Sequence, residues 1–428
     1  MSGRGRSVCC ALAVVVAATT LAACGMNPGA SEPTTITVWD YYGSATPIKP
    51  AIAAFEKANP NITVRHVERE YDTIKAEFGS GNGPDVSTLD LTWLPELAYA
   101  GDLTDLGDLS GGEINGQDIE HVYASTALDA MSYRSQYVAA PLDFDTYSLF
   151  YRSDLLAAQK IAVPQTWPEF REAARKLAEE ADSSGRTGKA RVQIGPDTFH
   201  FAELLFQDGG TILDQGGERA TFAGQNGVRA LTAYRDLLRD GGLYWGPEKG
   251  DSSGIDAIRD GRIAMFINGP FMMGVLKDGV PEMAGKWGVT RVPALGTAGV
   301  ERAGYLGGTG LGIPAASKNK KAAFDFVQFM LKIEQQRGVT KHAGAAPTTN
   351  EAILELELTD PDPFFGNQQP NLVFLDALAA ARPMPRIRQW GEVDAVINTA
   401  VEAALQGKKT PEKALEDAAR DVDKLLAS

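Results

Sequence analysis

A serine-containing segment is the first candidate for chemistry. Gly250-Asp251-Ser252-Ser253-Gly254 matches the G-x-S-x-G pattern, in which a hydrophobic strand delivers a nucleophilic serine to a sharp turn. Here Gly246-Pro247-Glu248-Lys249 precedes the serine, and these residues form turns, not strands. The context therefore does not favour a nucleophilic role for Ser252.

Other reactive residue types also lack the spacing that chemistry needs. The glycine run 307–312 is neither G-x-G-x-x-G nor a P-loop with its lysine, so we interpret it as a tight entry into a strand. Asp143 and Asp145 are too close in sequence to be convincing as the carboxylate pair of a glycosidase. The histidines show no metal-ligand spacing: His66, His121, His200 and His342. We predict no catalytic residue, metal or cofactor.

Strands and helices alternate along the first part of the chain. Short β-type runs occur at 36–39, 62–67 and 85–89. Thr46-Pro47 begins an intervening helix, and Asn59-Pro60 ends it. This order predicts an α/β fold with a parallel sheet and helices on its faces.

The same alternation continues to the end of the chain. Strands are predicted at 147–151 and 263–267, and helices at 318–332 and from Thr410 onward. Thr166-Trp167-Pro168-Glu169 is a capping box that begins another helix. The length of 428 residues predicts two or more domains.

The N-terminus has the features of an export signal. Arg4 and Arg6 precede an apolar stretch, 8–23, that is too short for a comfortable membrane span. Its ending, Leu21-Ala22-Ala23-Cys24-Gly25, resembles the lipobox of bacterial lipoproteins, although an ordinary signal peptide is the alternative. We therefore predict a signal peptide at 1–23, lipid on Cys24, a flexible tether at 24–33 and a location on the outer face of the cell membrane.

Composition restricts the partners of the exported chain. The three cysteines all lie within the first 24 residues, so the body has no disulfide or cysteine metal site. The net charge is −14, and it becomes about −16 without the two arginines of 1–23. Because an acidic protein repels phosphate backbones, nucleic acid is not expected as a partner.

Several segments, taken in order, resemble the extracellular solute-binding proteins of ABC importers, in the sugar-binding group that includes maltose-binding proteins. The landmarks are 36–40, 83–86 with 97–103, 145–156, 166–170, 261–270, 346–348 and 400–425. The resemblance implies a monomer with a two-lobed, type II periplasmic-binding-protein fold and a hinged ligand cleft between the lobes. One lobe is expected at 34–143 and 293–343, and the other at 144–292 and 344–428.

Candidate ligand-binding residues lie where strands pass into loops. Sugars offer apolar faces to aromatic rings and hydroxyl groups to polar side chains. Trp39, Asp40 and Tyr41 follow the first strand, although Trp39 is equally a core residue. Asp90 and Trp93 follow the third strand, and Trp93 is alternatively an anchor for its helix.

The resemblance implies further cleft residues. Asp145 takes the place of a ligand-binding acid at the crossover, with a hinge cap as the alternative. His200 is alternatively structural, and Trp245 is either exposed for stacking or tucked beneath its loop. The other expected cleft residues are Asp197, Phe199, Asn268, Phe271, Gly308, Arg382 and Trp390. Phe271 and Thr309 stand where many relatives carry Trp, which argues against a wide stacking platform.

The expected function is capture of a mono- or short oligosaccharide by lobe closure, followed by delivery to membrane permease subunits. One alternative keeps the fold and binds a glycerophosphodiester or polyol, with arginines on the phosphate. A secreted glycosidase or esterase is the third hypothesis.

Overall fold

A computed structural model describes residues 33–123, 125–183, 192–239, 243–244, 254–296, 302–355 and 360–427. The predicted signal peptide, Cys24 and all of the tether except Pro33 lie outside the described residues. Trp245 and Ser252 also lie outside them.

The described residues contain fifteen strands. They are β1 (Thr34–Asp40), β2 (Ile62–Glu68), β3 (Val86–Asp90), β4 (Glu113–Ile114), β5 (Gln117–Asp118), β6 (Ser132–Tyr133), β7 (Gln136–Tyr137), β8 (Ala140–Asp145), β9 (Ser148–Arg152), β10 (Val192–Gln193), β11 (Leu243–Tyr244), β12 (Met265–Asn268), β13 (Trp287–Thr290), β14 (Tyr305–Gly312) and β15 (Arg382–Pro383).

Eighteen α-helices accompany them in the same ranges. They are α1 (Ile48–Ala58), α2 (Tyr71–Glu77), α3 (Leu94–Ala100), α4 (Leu106–Ser110), α5 (Ile119–Val122), α6 (Ser125–Ala130), α7 (Ser153–Ala158), α8 (Trp167–Ser183), α9 (Thr198–Gln207), α10 (Gln225–Arg239), α11 (Ile255–Arg259), α12 (Met272–Gly279), α13 (Lys320–Met330), α14 (Ile333–Ala343), α15 (Asn350–Glu355), α16 (Pro370–Leu378), α17 (Trp390–Leu405) and α18 (Pro411–Leu426).

Two main sheets organise the molecule into two lobes, as predicted. The N-terminal sheet has the order β15-β14-β3-β1-β2, and β8 also pairs with β14. Strands β1, β2 and β3 are parallel, whereas β14 runs antiparallel to β3 and β8. The C-terminal sheet has the order β11-β10-β12-β9-β13. The two-lobed α/β fold expected from the sequence is confirmed.

Local sequence signals set several element ends as predicted. The Thr166 hydroxyl accepts a hydrogen bond from the Glu169 amide (3.4 Å), and the Glu169 carboxylate accepts one from the Thr166 amide (3.1 Å). This reciprocal pair is the predicted capping box. Helix α18 begins at Pro411 behind Thr410, whose hydroxyl accepts from the Lys413 amide.

The glycine run 307–312 differs from the expected strand entry, because it lies within strand β14 itself. Gly308 has φ +148°, and a Cβ there would lie 2.5 Å from the Asp143 carbonyl oxygen. Glycine is therefore required for β14 to approach β8 this closely.

The described residues pass from one lobe to the other at three places before strand β15, which pairs with β14 of the N-terminal sheet. The first crossing is Thr146-Tyr147, between β8 and β9. The second comes after Ala294, which still bridges to Thr166 of the C-terminal lobe. The third follows α15, because that helix packs on α14 and α5 of the N-terminal lobe and buries Ala352. The lobe boundaries expected at 292/293 and 343/344 stay predictions.

Each lobe has its own apolar core. In the N-terminal lobe, the rings of Phe55 and Phe326 meet edge to face at 5.0 Å. In the C-terminal lobe, Phe150 and Phe266 stack at 4.7 Å. Within the described ranges, no helix combines the length and apolarity needed to cross a membrane.

Candidate ligand-binding cleft

A row of polar side chains crosses three neighbouring strands at the edge of the cleft. Thr309 of β14 lies opposite Asp143 of β8 on one side and opposite Asp90 of β3 on the other. Directly opposite residues share a face of the sheet, so the two carboxylates flank one threonine. Asp145 lies opposite Gly307, two residues further along the same face.

Asp143 is buried and held by two donors. The Tyr42 hydroxyl donates to Oδ2, and the Thr309 amide donates to Oδ1 at 3.2 Å. Burial raises the pKa of Asp143 to about 7, although both hydrogen bonds oppose the rise. This carboxyl group is therefore partly protonated at neutral pH.

Asp145 is the least satisfied carboxylate of the cleft. Its Oδ1 atom is sealed from solvent and has no hydrogen-bond partner. Burial, followed by the charges of Asp143 and Asp90, raises its pKa well above the usual range. A Cβ on Gly307 would lie 2.1 Å from this Oδ1, so the missing side chain there makes room for the carboxylate.

Asp90 joins the row to the aromatic wall of the N-terminal lobe. It accepts from the amide of Thr92 (2.8 Å) and from its hydroxyl (2.6 Å). Burial raises the pKa of Asp90, while the hydrogen bonds from Thr92 and Tyr71 oppose that rise.

Three rings pack together beside these acids. The Tyr71 ring lies 4.3 Å from Trp93 and 5.3 Å from Tyr41, and Tyr41 lies 5.9 Å from Trp93. The Tyr41 hydroxyl also pairs with the Thr309 hydroxyl at 2.8 Å. Because Trp93 is almost fully buried, Tyr41 and Tyr71 supply the more accessible surfaces of this wall.

The facing wall is aromatic as well. Tyr305 lies 4.9 Å from Tyr147 and 5.2 Å from Phe199, ring centre to ring centre. Burial raises the pKa of Tyr305 well above its usual range, with further contributions from Asp145, Tyr147 and Asp90. The charge of Asp145 also contributes to the raised pKa of Tyr41 in the first wall, after burial and other neighbours.

Asp197 and His200 form a closed pair in the C-terminal wall. Asp197 caps α9 through the His200 amide and lies 2.9 Å from the ring Nδ1, while Nε2 lies 3.0 Å from the Ile267 carbonyl oxygen. A carboxylate and a carbonyl oxygen both accept hydrogen bonds, so this arrangement favours the doubly protonated ring. Burial opposes both charges, yet the mutual attraction lowers the pKa of Asp197 and raises that of His200.

Helix α17 brings the C-terminal lobe against the N-terminal rim. Trp390 is buried in the apolar core of its own lobe. Asp394, one turn later, carries a sealed Oδ1 without a partner. Nearby, the Arg388 guanidinium lies 5.0 Å from the ring of Tyr99, which belongs to α3 of the other lobe.

Two candidates after the first strand make contacts within the protein. Asp40 is fully buried and accepts from the Tyr42 amide (3.0 Å), the Thr46 hydroxyl (2.8 Å) and His66. Trp39 is buried, with the Arg69 guanidinium 4.4 Å above its ring.

The remaining candidates occupy supporting positions. The Asn268 side chain accepts from the Gly269 amide at 2.8 Å, and Phe271 packs against the apolar core of the C-terminal lobe. Gly308 lies between β8 and β3, and Arg382 belongs to edge strand β15.

Sequence reasoning missed part of the cleft. The residues that it does not name as ligand-binding candidates are Tyr42, Tyr71, Asp143, Tyr147, Tyr305 and Asp394. Tyr147 lies two residues from Asp145 within a segment already singled out, so its position at the crossover was an available signal. Tyr71 and Asp394 carried no comparable signal, because they reach the cleft only through packing of α2 and α17.

Known proteins share both the sequence and the fold of this chain. The family model "Bacterial extracellular solute-binding protein" matches residues 42–337. The lactose-binding protein of Rhizobium radiobacter is 26% identical over 413 residues, covering 90% of this chain and 92% of that protein.

Two solved structures extend the comparison. The GacH receptor of Streptomyces glaucescens, determined unliganded and with acarbose, has a TM-score of 0.79 and 25% identity, covering 93% of this chain and 100% of that chain. Maltose-bound MalE3 of T. maritima has a TM-score of 0.75 and 26% identity, with 92% and 100% coverage. The chain thus belongs to the bacterial extracellular solute-binding proteins, the substrate-binding proteins of ABC transporters, which are not enzymes.

Proposed function

We propose that this protein captures a mono- or short oligosaccharide in the interlobe cleft and presents it to the permease of an ABC importer. The observation that carries the proposal is Asp145, an unpartnered carboxylate at the crossover between two aromatic walls. Hydroxyl groups of a sugar would supply the missing donors, and Tyr41 and Tyr305 would contact its apolar faces.

The cleft favours a short saccharide over a long one. Phe271 packs into the core of its lobe, and the Thr309 hydroxyl pairs with Tyr41. Neither position provides the extra ring that a long chain would stack on. The relative named for lactose and the structure titled with maltose support a ligand of this size.

The charge of the cleft disfavours the alternative of a glycerophosphodiester. Asp90 contributes to the raised pKa of Asp143, and both contribute to that of Asp145; a phosphate would add a further negative charge beside them. Arg382 offers no described contact to this row. A saccharide therefore fits the row better than a phosphodiester does.

A thermal-shift screen tests the proposal directly. Mono- and disaccharides, with glycerophosphocholine as the phosphodiester probe, are titrated against the purified chain without residues 1–24. A binding sugar raises the melting temperature in a dose-dependent manner. Stabilisation by glycerophosphocholine alone would replace the saccharide with the alternative ligand.

We also propose that lipid on Cys24 anchors the protein at the outer face of the membrane. Two acyl chains give stable attachment, and a short tether keeps the receptor near its permease. Replacing Cys24 by Ala should abolish palmitate labelling and release the protein into the soluble fraction. Retention of the variant on the membrane would contradict the anchor.

A further inference from the structure

Acidic side chains from both lobes surround the cleft. Asp90, Asp143 and Asp145 belong to the N-terminal sheet, and Asp197 and Asp394 belong to helices of the other lobe. They act on one another across the cleft: the charges of Asp197 and Asp90 both contribute to the raised pKa of Asp394, after burial. The acids of the two lobes therefore lie close enough to influence one another.

Few positive charges offset these acids. His200 neutralises Asp197 within the C-terminal wall. Lys75 lowers the pKa values of Asp90 and Asp394 but already forms a 3.0 Å ion pair with Glu96. Among the described residues, no lysine or arginine forms an ion pair with Asp143 or Asp145 or lowers their pKa values.

Two carboxylate oxygens remain entirely without donors. Oδ1 of Asp145 and Oδ1 of Asp394 are sealed from solvent and make no hydrogen bond. An unpaired buried carboxylate is costly, and a ligand that supplies both donors and positive charge removes most of that cost. Neutral hydroxyl groups supply donors alone, whereas a protonated amine supplies both.

We propose that the preferred ligand is a saccharide carrying a protonated amino group, held on the side of the cleft that contains Asp145. The inference rests on the proposed function and specifies the chemical class of its ligand. The ammonium group would donate to the free oxygen of Asp145 and stabilise the ionised carboxylate that burial disfavours, while neighbouring hydroxyl groups engage Asp90 and the walls. No group of three metal-binding side chains is placed for a metal ion within the described ranges, so an organic cation fits this row of acids better.

Matched sugars that differ only in the amine test the inference. Glucosamine is compared with glucose, galactosamine with galactose, and the β-1,4-linked glucosamine disaccharide with cellobiose, by calorimetry at pH 6.5. We expect at least one amine to bind about tenfold or more tightly than its neutral partner, because a charged hydrogen bond is stronger than a neutral one. N-acetylglucosamine, which lacks the charge, should lose this advantage.

Variants locate the amine within the cleft. Asp145→Asn should remove the preference for the amine, so that the affinities of each amino sugar and its neutral partner differ by no more than about threefold. Asp394→Asn serves as a second probe if the first variant is unstable. Asp421→Asn on α18 is the matched control, because it changes net charge equally on an exposed helix face, and it should keep the preference.

The outcomes separate the two proposals. If neutral sugars bind as tightly as their amines, the inference is overturned and the proposed function stands. If neither kind of saccharide binds, both fall. A preference that survives in both Asp145→Asn and Asp394→Asn would also overturn the inference.

Discussion

Asp145 and Asp197 occupy opposite walls of the same cleft, and their surroundings shift their pKa values in opposite directions. Asp197 caps a helix, faces a protonated His200 and has a lowered pKa. Asp145 has a sealed, unpartnered oxygen and a pKa raised by burial and by neighbouring acids. Two aspartates chosen from the sequence for the same role thus differ in whether their charge is available to a ligand. Partners contributed by distant segments decide that difference.

Replacing Asp145 by Asn should give the largest effect on binding. Loss of a charge-assisted hydrogen bond costs about 2–3 kcal/mol, or roughly 30- to 150-fold in affinity, measured by calorimetry with the best sugar from the screen. The ligand-free protein should be as stable as the wild type or more so, because ionising the buried acid costs free energy. Unchanged affinity would remove Asp145 from the site.

Replacing Asp197 by Asn should give the complementary result. The helix cap and the ion pair with His200 are weakened, so the free energy of unfolding should fall by about 1–2 kcal/mol in urea titrations. Affinity should change less than in Asp145→Asn. The reverse order of the two variants would contradict the assignment of Asp197 to the structure and Asp145 to the ligand.

The pH dependence of stability tests the uncompensated side of the cleft. Asp143 and Glu203 are buried acids with pKa values of about 7, raised by burial. Since these values exceed the unfolded ones, near 4, the native state holds protons more tightly, and stability is lost as pH rises from about 4 through 7.

Three other cleft groups set the size of that slope. Asp90 and Asp145 contribute in the same direction as Asp143 and Glu203. His200 also lowers the stability as pH rises above about 6.5, the pKa of an unfolded histidine. Its pKa in the folded protein is higher, and its stabilising charge is lost as pH rises through that folded pKa. The ligand-free melting temperature should therefore fall by roughly 5 °C between pH 5 and 8, and Asp143→Asn should flatten part of this slope. A rising melting temperature over this interval would contradict the assignment.

The rim contact should give the smallest effect. Arg388 over Tyr99 joins the lobes at an exposed position, where such a contact contributes about 0.5 kcal/mol. Arg388→Ala should weaken ligand affinity about twofold through closure alone, whereas Arg420→Ala on α18, also exposed, should not. A much larger loss would place Arg388 at the ligand.

Local signals predicted most of the fold. Strand patterns located β1, β2, β3, β9 and β12, and the capping box at Thr166 located α8, because these features depend on neighbouring residues. The glycine run was harder to interpret. Its role as strand β14 depends on the approach of β8 and β3, which no local pattern reports.

The candidate site was predictable in outline only. Strand ends pointed to Asp90, Tyr41 and Asp145, which the structure brings to one edge of the sheet. The same rule selected Asp40, but its carboxylate is already hydrogen-bonded to Thr46 in the following turn and to His66 in the next strand. The hydrogen-bond partners of a side chain are set by the tertiary structure. Sequence position alone therefore cannot distinguish a carboxylate that is already hydrogen-bonded from one that is free.

The space left by Gly307 has a consequence for how such a cleft diversifies. The position of the Asp145 carboxylate depends on two residues: the acid itself at the crossover, and Gly307 on the facing strand, which has no side chain to occupy that space. A side chain at position 307 would displace the Asp145 carboxylate from this place, so substitutions at the two positions are coupled. A family that exchanges ligands by altering this pair would reshape its recognition site while leaving both hydrophobic cores untouched.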